Sequence, residues 1–360
     1  MKKRSYFQKL AGFLLVTAII VSCSKNATIN NDPVALKQAI NESSGNLNAA
    51  MQTISASQAF QVFTLDASSG LKSTTASQSD SLYNTYILLD SIKGEYNYQP
   101  LPGHDRWGRP LIRFFNQTAN NDLMIVRLPY EKIQHPHSLR EYRPGDSTLV
   151  NNFAISVSDY HNNYNSYHDF DYNMVSSVSL DNAGIGDLSI KSVVNPQTGI
   201  QYASQFVFGN GYTAKYKYES GDTTVSSFAI LSVAQTLYEE KLLTVRNDTA
   251  RFGREFQYIL TIGNVQIIRK SGSHTAEVYL NGILQPNAVV AFIDHGTDPE
   301  PTACGHREIR ITFEDGTTTT VSALLSGQIS NINALFTSLH DVYFAAYIVD
   351  WIAYDIYYKR

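Results

Sequence analysis

Thiol, imidazole and carboxylate groups, the side chains that hold zinc in proteins, lie close together between residues 294 and 306. They are Asp294, His295, Asp298, Cys304 and His306. One hypothesis is therefore a metal-dependent hydrolase whose metal binds His295, Cys304 and His306. The alternative is a rigid polar turn, because two prolines stiffen the segment and only one residue separates Cys304 from His306. We favour the turn, and the sequence predicts no metal and no cofactor.

A second polar segment runs from Asp159 to Asp171 and places histidines beside aspartates. Such pairs could transfer protons if a pocket shifted their pKa values. The segment is also rich in Tyr and Asn, which form an adaptable contact surface, and a long hairpin tip would have this composition. We favour a loop without catalytic residues, whose candidate ligand-binding side chains are Tyr160, Tyr164 and Tyr167.

Trp107 is a third candidate, since it lies between Arg106 and Gly108-Arg109 and follows His104. An indole ring with cations beside it could stack on a sugar or an aromatic ligand. The alternative, which we favour, is a loop between strands that is anchored by its tryptophan. Trp107 is kept as a ligand-binding candidate.

Motifs that identify common enzymes are not found in the sequence. It has no HExxH zinc helix, no Gly-x-Ser-x-Gly nucleophile turn and no GxxxxGK[ST] phosphate loop. Gly184-Ile-Gly186 lacks the third glycine of a dinucleotide-binding turn. We therefore expect a binding or structural protein and not an enzyme.

The N-terminus has the most specific pattern of the chain. Basic residues 2–4 precede an uncharged run of 12 residues, 10–21, which ends beside Ser22-Cys23. This run is shorter than the about 20 residues of a membrane-spanning helix and fits the core of a signal peptide. The pattern resembles the lipobox of bacterial lipoproteins, and the Asn-rich stretch after the cysteine is similar to lipoproteins of Bacteroidota type.

The lipobox resemblance implies that Cys23 receives a diacylglyceryl thioether, that the leader is cleaved before it, and that its new amine is acylated. The expected domains are a signal peptide over 1–22, a tether over 23–32 and one globular domain over 33–360. The expected location is the outer membrane. Its periplasmic face is the default because no acidic run follows Cys23, and surface display is the alternative.

Five short motifs resemble the O-glycosylation sequon of Bacteroidota envelope proteins, in which Ser or Thr follows Asp and precedes an aliphatic residue or Thr. The acceptor positions are Ser81, Ser91, Ser147, Thr223 and Thr249. A motif this loose should occur roughly once or twice by chance. The excess supports a place in the cell envelope and does not indicate an activity.

Composition excludes some classes of protein. The 360 residues are 43% hydrophobic, which is enough for a core, and have a formal net charge of -4. Removing the four basic residues of the first 22 takes that charge to -8, which argues against nucleic acid as a partner. If Cys23 is lipidated, Cys304 has no partner for a disulfide.

The expected fold class is α+β and mostly antiparallel. Apolar spacing predicts a helix over 33–60 and a long helix over 328–358, while a Ser- and Thr-rich stretch over 61–82 predicts a flexible connection. Between them, short apolar runs alternate with turn residues over 83–325, which predicts a meandering curved sheet, a sandwich or a partial barrel. The two helices should pack on this sheet.

Particular turns are predicted where Gly, Asn and Asp separate two apolar runs. Gly209-Asn210-Gly211 and Glu314-Asp315-Gly316 each predict a hairpin, because these residues tolerate the turn's backbone angles. The runs 112–115 and 123–126 predict strands on either side of Asn120-Asn121.

Together these patterns predict a lipid-anchored envelope protein that recognises a glycan, a lipid or a partner protein. One alternative is a carrier of lipids or lipoproteins, which would need an apolar cavity large enough for acyl chains. The other alternative is the metal-dependent hydrolase. An exposed aromatic cleft would favour the glycan.

Overall fold

The computed structural model describes most of the chain after its first 32 residues. The described residues are 33–64, 85–101, 110–133, 139, 145–233, 235–249, 253–273, 275–294, 307–341 and 344–359. Within them the helices are α1 Pro33–Ser55, α2 Gln58–Phe63, α3 Leu89–Ile92, α4 Tyr130–Ile133, α5 Val321–Leu324, α6 Ile329–Asp341 and α7 Phe344–Lys359. Short 3-10 helices lie at Leu111–Phe114 and Asp146–Thr148.

The described strands follow the helix α2 and end just before α5. In chain order they are β1 Thr85–Leu88, β2 Gly94–Tyr98, β3 Phe115–Ala119, β4 Met124–Leu128, β5 Phe153–Ser166, β6 Asp169–Leu180, β7 Ala183–Asn195, β8 Gly199–Phe208, β9 Thr213–Ser220, β10 Thr223–Leu231, β11 Thr236–Arg246, β12 Arg254–Ile262, β13 Val265–Lys270, β14 Glu277–Leu280, β15 Ile283–Leu284, β16 Val289–Asp294, β17 Arg307–Thr312 and β18 Thr318–Thr320. Fifteen of these described strands form one large curved sheet, and β16, β17 and β18 form a small one.

Strands β5 to β15 form a continuous antiparallel meander in which each strand pairs with the next along the chain. Tight turns join them because the turn residues accept positive φ: Asn281 and Gly282, between β14 and β15, have φ of 51° and 76°. The meander expected from the sequence is therefore confirmed, as is the hairpin at Gly209-Asn210-Gly211. The described strands do not close into a barrel.

The first strands depart from the meander. β4 pairs with the first half of β5 and β1 with its second half, while β2 runs parallel to β4 and carries β3 on its other side. The strand expected over 112–115 is wrong for most of its length. Leu111–Phe114 is a 3-10 helix and the strand starts only at Phe115, because the backbone N–H of Ile112 donates to the buried Asp355 carboxylate of α7.

One face of the large sheet carries the helices, and we call it the helix face. α1 contacts β11 to β13, α2 contacts β7, α6 contacts β8 and β9, and α7 contacts β1. Strand β9 alternates between the two faces: Ala214 and Tyr216 are buried on the helix face, whereas Lys215 and Lys217 point to solvent on the opposite face. This alternation fixes the register, because a one-residue shift would bury the lysines.

The close approach of α1 to the sheet depends on one glycine. Gly263, in the turn between β12 and β13, has a φ of 58°, and a Cβ there would come within 2.7 Å of the Ser43 Cβ. Ser43 instead donates a hydrogen bond to the Asn264 side chain at 3.1 Å. A glycine in this turn therefore allows the helix to pack directly on the strand ends.

The predicted terminal helices are confirmed with changed boundaries. The helix expected over 33–60 is divided into α1 and α2, since Ser57 caps the start of α2 by accepting from the N–H of Phe60. The expected connection over 61–82 begins later, because residues 61–63 belong to α2. Its remainder after residue 64 lies outside the described residues. The helix expected over 328–358 is described as α6 and α7.

Candidate functional site

Strand pairing places a row of aromatic side chains across the helix face. The register joins one residue from each strand from β6 to β13. These residues are Tyr172, Ser192, Tyr202, Tyr218, Ser226, Leu242, Tyr258 and Arg269. We call this set the tyrosine row. Paired residues in antiparallel strands share a face, so the whole row lies on the helix face.

The row passes from the core to the surface. Tyr172 is buried at one end, whereas Tyr202, Tyr218 and Tyr258 are each partly exposed. Leu242, between them, is 43% exposed. The neighbouring row on the same face carries Ile200 and Phe256, each 41% exposed. This part of the helix face therefore presents aromatic and aliphatic surface to solvent.

The helix α6 ends beside the row and holds its first exposed tyrosine. Phe336 packs edge-on against Tyr216 and Phe228, with ring centroids 5.6 Å apart in both pairs. The carbonyl of Leu339 accepts hydrogen bonds from the Tyr202 hydroxyl at 3.0 Å and from the Ser204 hydroxyl. These contacts fix where the helix stops, and the strands continue beyond it.

A largely buried carboxyl group, that of Asp350, holds the inner end of the tyrosine row. Asp350 of α7 accepts hydrogen bonds at 3.0 Å from both the Tyr160 and Tyr172 hydroxyls. Burial raises the pKa of the Asp350 carboxyl to about 7, although its two tyrosine donors act in the opposite direction. Burial, followed by the nearby Asp350 charge, raises the pKa values of Tyr160 and Tyr172 well above their usual value. Both tyrosines therefore keep their protons and donate.

A second carboxylate, that of Glu240, holds Tyr258 near the outer end of the tyrosine row. Glu240 lies on the helix face of β11 and accepts from the Tyr238 hydroxyl at 2.6 Å and the Tyr258 hydroxyl at 3.3 Å. Tyr258 also packs edge-on against Phe292 of β16, with centroids 6.4 Å apart. Tyr258 is thus fixed in orientation from two sides. Preorganised aromatic side chains lose little entropy when they contact a ligand.

Arg269 ends the row, and its guanidinium carbon lies 4.4 Å from the centre of the Phe292 ring. Its Nε atom is buried and has no hydrogen-bond partner. Within the described residues it forms no ion pair with a carboxylate. Among the described residues, no carboxylate therefore pairs with the cation that lies beside the outermost tyrosine.

The three tyrosines that we predict to bind a ligand lie in different surroundings in the structure. Tyr160 is 2% exposed and is occupied by Asp350, which places it in the core. Tyr164 packs edge-on against Phe170 at 5.9 Å, and Tyr167 is 70% exposed in the turn between β5 and β6. The expected loop is wrong for most of its length, because β5 and β6 run through this segment and leave only Tyr167 and His168 between them.

Several other predicted site residues lie outside the described residues. These are Cys23, Ser81, Trp107, His295, Cys304 and His306. Of the glycosylation candidates that are described, Ser147, Thr223 and Thr249 are exposed and Ser91 is half-buried. Both the metal-site and the glycosylation hypotheses stay predictions. Among the described side chains, no group of three or more His, Cys, Asp or Glu could hold a metal ion.

An apolar cavity lies between the helix α1 and strands β12, β13 and β17. Ile40, Leu260 and Ile311 are among the residues that line it. Its volume is about 10 Å³, room for about one water molecule. It is too small for an acyl chain and so does not support the carrier alternative, which stays a prediction.

By length and composition alone, the segment Ile329–Tyr358 could cross a membrane, since an 18-residue window within it has a mean hydropathy of 1.2. Half of that window is buried inside the protein. Its Asp350 and Asp355 bind partners in the sheet and in the 3-10 helix, respectively. Packing within the protein explains its apolar composition without a membrane.

Comparisons with protein-family models, with curated proteins and with solved structures found no match to the chain.

The sequence did not single out Tyr202, Tyr258 or Arg269. Each lies in a strand with ordinary alternation, and only the register of successive hairpins brings them into one row. The available signal was the repetition of tyrosines at alternate positions in strands separated by short turns. Those turns set the register that could have aligned them.

Proposed function

We propose that this protein is a lipid-anchored envelope module that binds a glycan on the exposed part of its tyrosine row. The observation that carries the proposal is the partial exposure of Tyr202, Tyr218 and Tyr258 on one face of a rigid sheet. It supplies the exposed aromatic surface that the glycan hypothesis requires. The anchor is supported by the lipobox-like pattern that ends at Cys23.

The dimensions of the row suit a chain of several sugar units. Neighbouring strands lie about 4.8 Å apart, so Tyr218 and Tyr258, three strands apart, are separated by roughly 14 Å. Ser226 lies between them and leaves a gap beside Leu242. An extended ligand can lie across the strands and meet an aromatic side chain at each end of this interval.

The chemistry of the surface is mixed, as sugar rings require. Tyrosine rings contact the C–H groups of a sugar, while hydroxyl groups bind its polar rim. Ser226 lies in the row, and Thr224 and Thr244 lie in the neighbouring row on the same face. Among the described residues, the Tyr218 hydroxyl has no hydrogen-bond partner and is free to bind a ligand. A lipid chain would leave these hydroxyl groups unsatisfied.

Binding of purified protein to a panel of neutral and acidic oligosaccharides tests the proposal. We expect Tyr218→Ala to weaken binding roughly five- to hundredfold, since one aromatic contact contributes about 1–3 kcal/mol. Tyr167→Ala is the control, because it removes a tyrosine that is more exposed than Tyr218 and lies outside the row. Absence of glycan binding by the wild type, or equal loss in both variants, would overturn the proposal.

A further inference from the structure

Arg269 has a setting that differs from that of Lys217 and Lys270, two other cations of the sheet. Lys217 pairs with Glu219 at 2.9 Å and Lys270 with Glu277 at 3.2 Å. Arg269 stacks on Phe292 instead, with a buried Nε that no acceptor reaches. The side chain as a whole is partly exposed and has no carboxylate partner among the described residues, so its guanidinium can bind an acidic group of a ligand.

The nearby carboxylate of Glu240 does not meet this need. It accepts hydrogen bonds from Tyr238 and Tyr258 and forms no ion pair with Arg269. Strand pairing makes Tyr258 and Arg269 direct neighbours on the same face. A ligand that contacts the Tyr258 ring therefore has a positive charge next to it.

The planar guanidinium fork matches carboxylates in geometry, and a hydrogen bond to a charged group is roughly twice as strong as a neutral one. A pyranose ring that packs on Tyr258 carries its C5 substituent at the edge of the ring, within reach of the neighbouring strand. In a uronic acid this substituent is a carboxylate. The ligand then supplies the negative charge that balances Arg269.

We infer that the ligand of the tyrosine row is an acidic oligosaccharide, in which the carboxylate of a uronic acid residue binds Arg269 while its ring packs on Tyr258. This inference rests on the proposed function and names the class of its glycan. It also assigns a direction to the bound chain, because a charged residue is required at the Arg269 end and neutral residues suffice over Tyr202 and Tyr218.

The test uses uronate-containing oligosaccharides, each paired with the same chain after its carboxylates have been reduced to alcohols. The two members of a pair offer the same rings and differ in charge. We expect the wild-type protein to bind at least one uronate chain roughly tenfold or more tightly than its reduced partner. Arg269→Gln should remove this preference, so that the variant binds the two members of a pair equally.

A control variant tests whether the preference for the charged chain depends on Arg269 or on any positive charge of the sheet. Lys217→Gln removes a cation from the opposite face of the sheet and should leave the preference intact. If the wild type binds both members of every pair equally, or Arg269→Gln keeps the preference, the acidic ligand is wrong while glycan binding stands. If neither member of any pair binds, both proposals fail.

Discussion

Asp350 shows how one carboxyl group ties a helix to a sheet. Its oxygen accepts from hydroxyls on two neighbouring strands, Tyr160 of β5 and Tyr172 of β6. Removal from water disfavours the charged carboxylate, which is why the pKa of Asp350 rises to about 7. The group is therefore partly protonated near neutral pH, and it binds α7 to the sheet in both protonation states.

The first prediction concerns the pH dependence of stability. Between pH 4 and pH 7, folded Asp350 holds a proton that the unfolded chain, with an ordinary pKa of about 3.9, has released. This contribution to the free energy of unfolding must fall as the pH rises through that window. Relative to Asp350→Asn, the wild type should lose about 1–3 kcal/mol from pH 4 to pH 7, as measured by urea denaturation. Because Asp350 is partly exposed, solvent screening keeps this loss of stability below the value expected for a fully buried group.

Asp187→Asn is the control, because Asp187 is exposed on the opposite face of the sheet. It should leave the slope of stability against pH unchanged. The same slope in wild type and Asp350→Asn would contradict the raised pKa. The asparagine can still accept both tyrosine hydrogen bonds, so this variant is expected to fold.

For individual residues, the sequence predicts the surroundings of some side chains and not of others. It identified the segment that contains Tyr160, but the residue faces the core, because a bulge between Val157 and Asp159 shifts the alternation along β5. The alternation of Lys215 and Lys217 with tyrosines predicts a solvent face for both lysines, and the structure places both on one. Local pattern assigns the face of a strand, whereas the element covering that face comes from distant parts of the chain.

Among the elements, α6 shows how a helix end is fixed by strands. The Leu339 carbonyl belongs to the last turn, where carbonyl groups lack partners within the helix, and it accepts from Tyr202 and Ser204. Phe336, one turn earlier, packs between Tyr216 and Phe228. The end of α6 and the start of the exposed row are therefore set by the same contacts.

The second prediction is that Ser204→Ala destabilises the protein by about 1 kcal/mol, the usual contribution of a buried hydrogen bond. Ser204 is 2% exposed and donates directly to Leu339. The midpoint of urea unfolding should fall while its slope is kept. Ser177→Ala, at an exposed position of β6, is the matched control. Equal stability of both variants would mean that this contact does not hold the helix end.

Elements were predicted best where the signal was local. The hairpins at Gly209-Asn210-Gly211 and Glu314-Asp315-Gly316 are confirmed, because their turn angles depend on the residues within the turn. The strand predicted over 112–115 is wrong up to Phe114, because Leu111–Phe114 is a 3-10 helix. Asp355 fixes this backbone by accepting a hydrogen bond from the N–H of Ile112, 243 residues away in the sequence. The local pattern of residues 112–115 does not indicate a contact with so distant a residue.

At the scale of the molecule, one long sheet exposes its two faces to different surroundings. The helices contact β7 to β9 and β11 to β13 on the helix face and leave part of the tyrosine row exposed beyond the end of α6. The opposite face carries lysines and acids. A module of this shape, if tethered by its N-terminus, can present the row without opening its core.

The last prediction tests that tether. Acyl chains contribute about 0.8 kcal/mol per buried CH₂, so several chains on Cys23 hold a protein on a membrane. Expressed with its leader in a Bacteroidota host, the wild type should fractionate with membranes, and its N-terminal peptide should show the mass of acylated Cys23. Cys23→Ala should keep the leader attached and lack the acyl mass, whereas Cys304→Ala, the matched control, should behave as the wild type. An unmodified Cys23 in the wild type, or a retained Met1, would exclude the anchor and leave glycan binding to be judged by the tyrosine row alone.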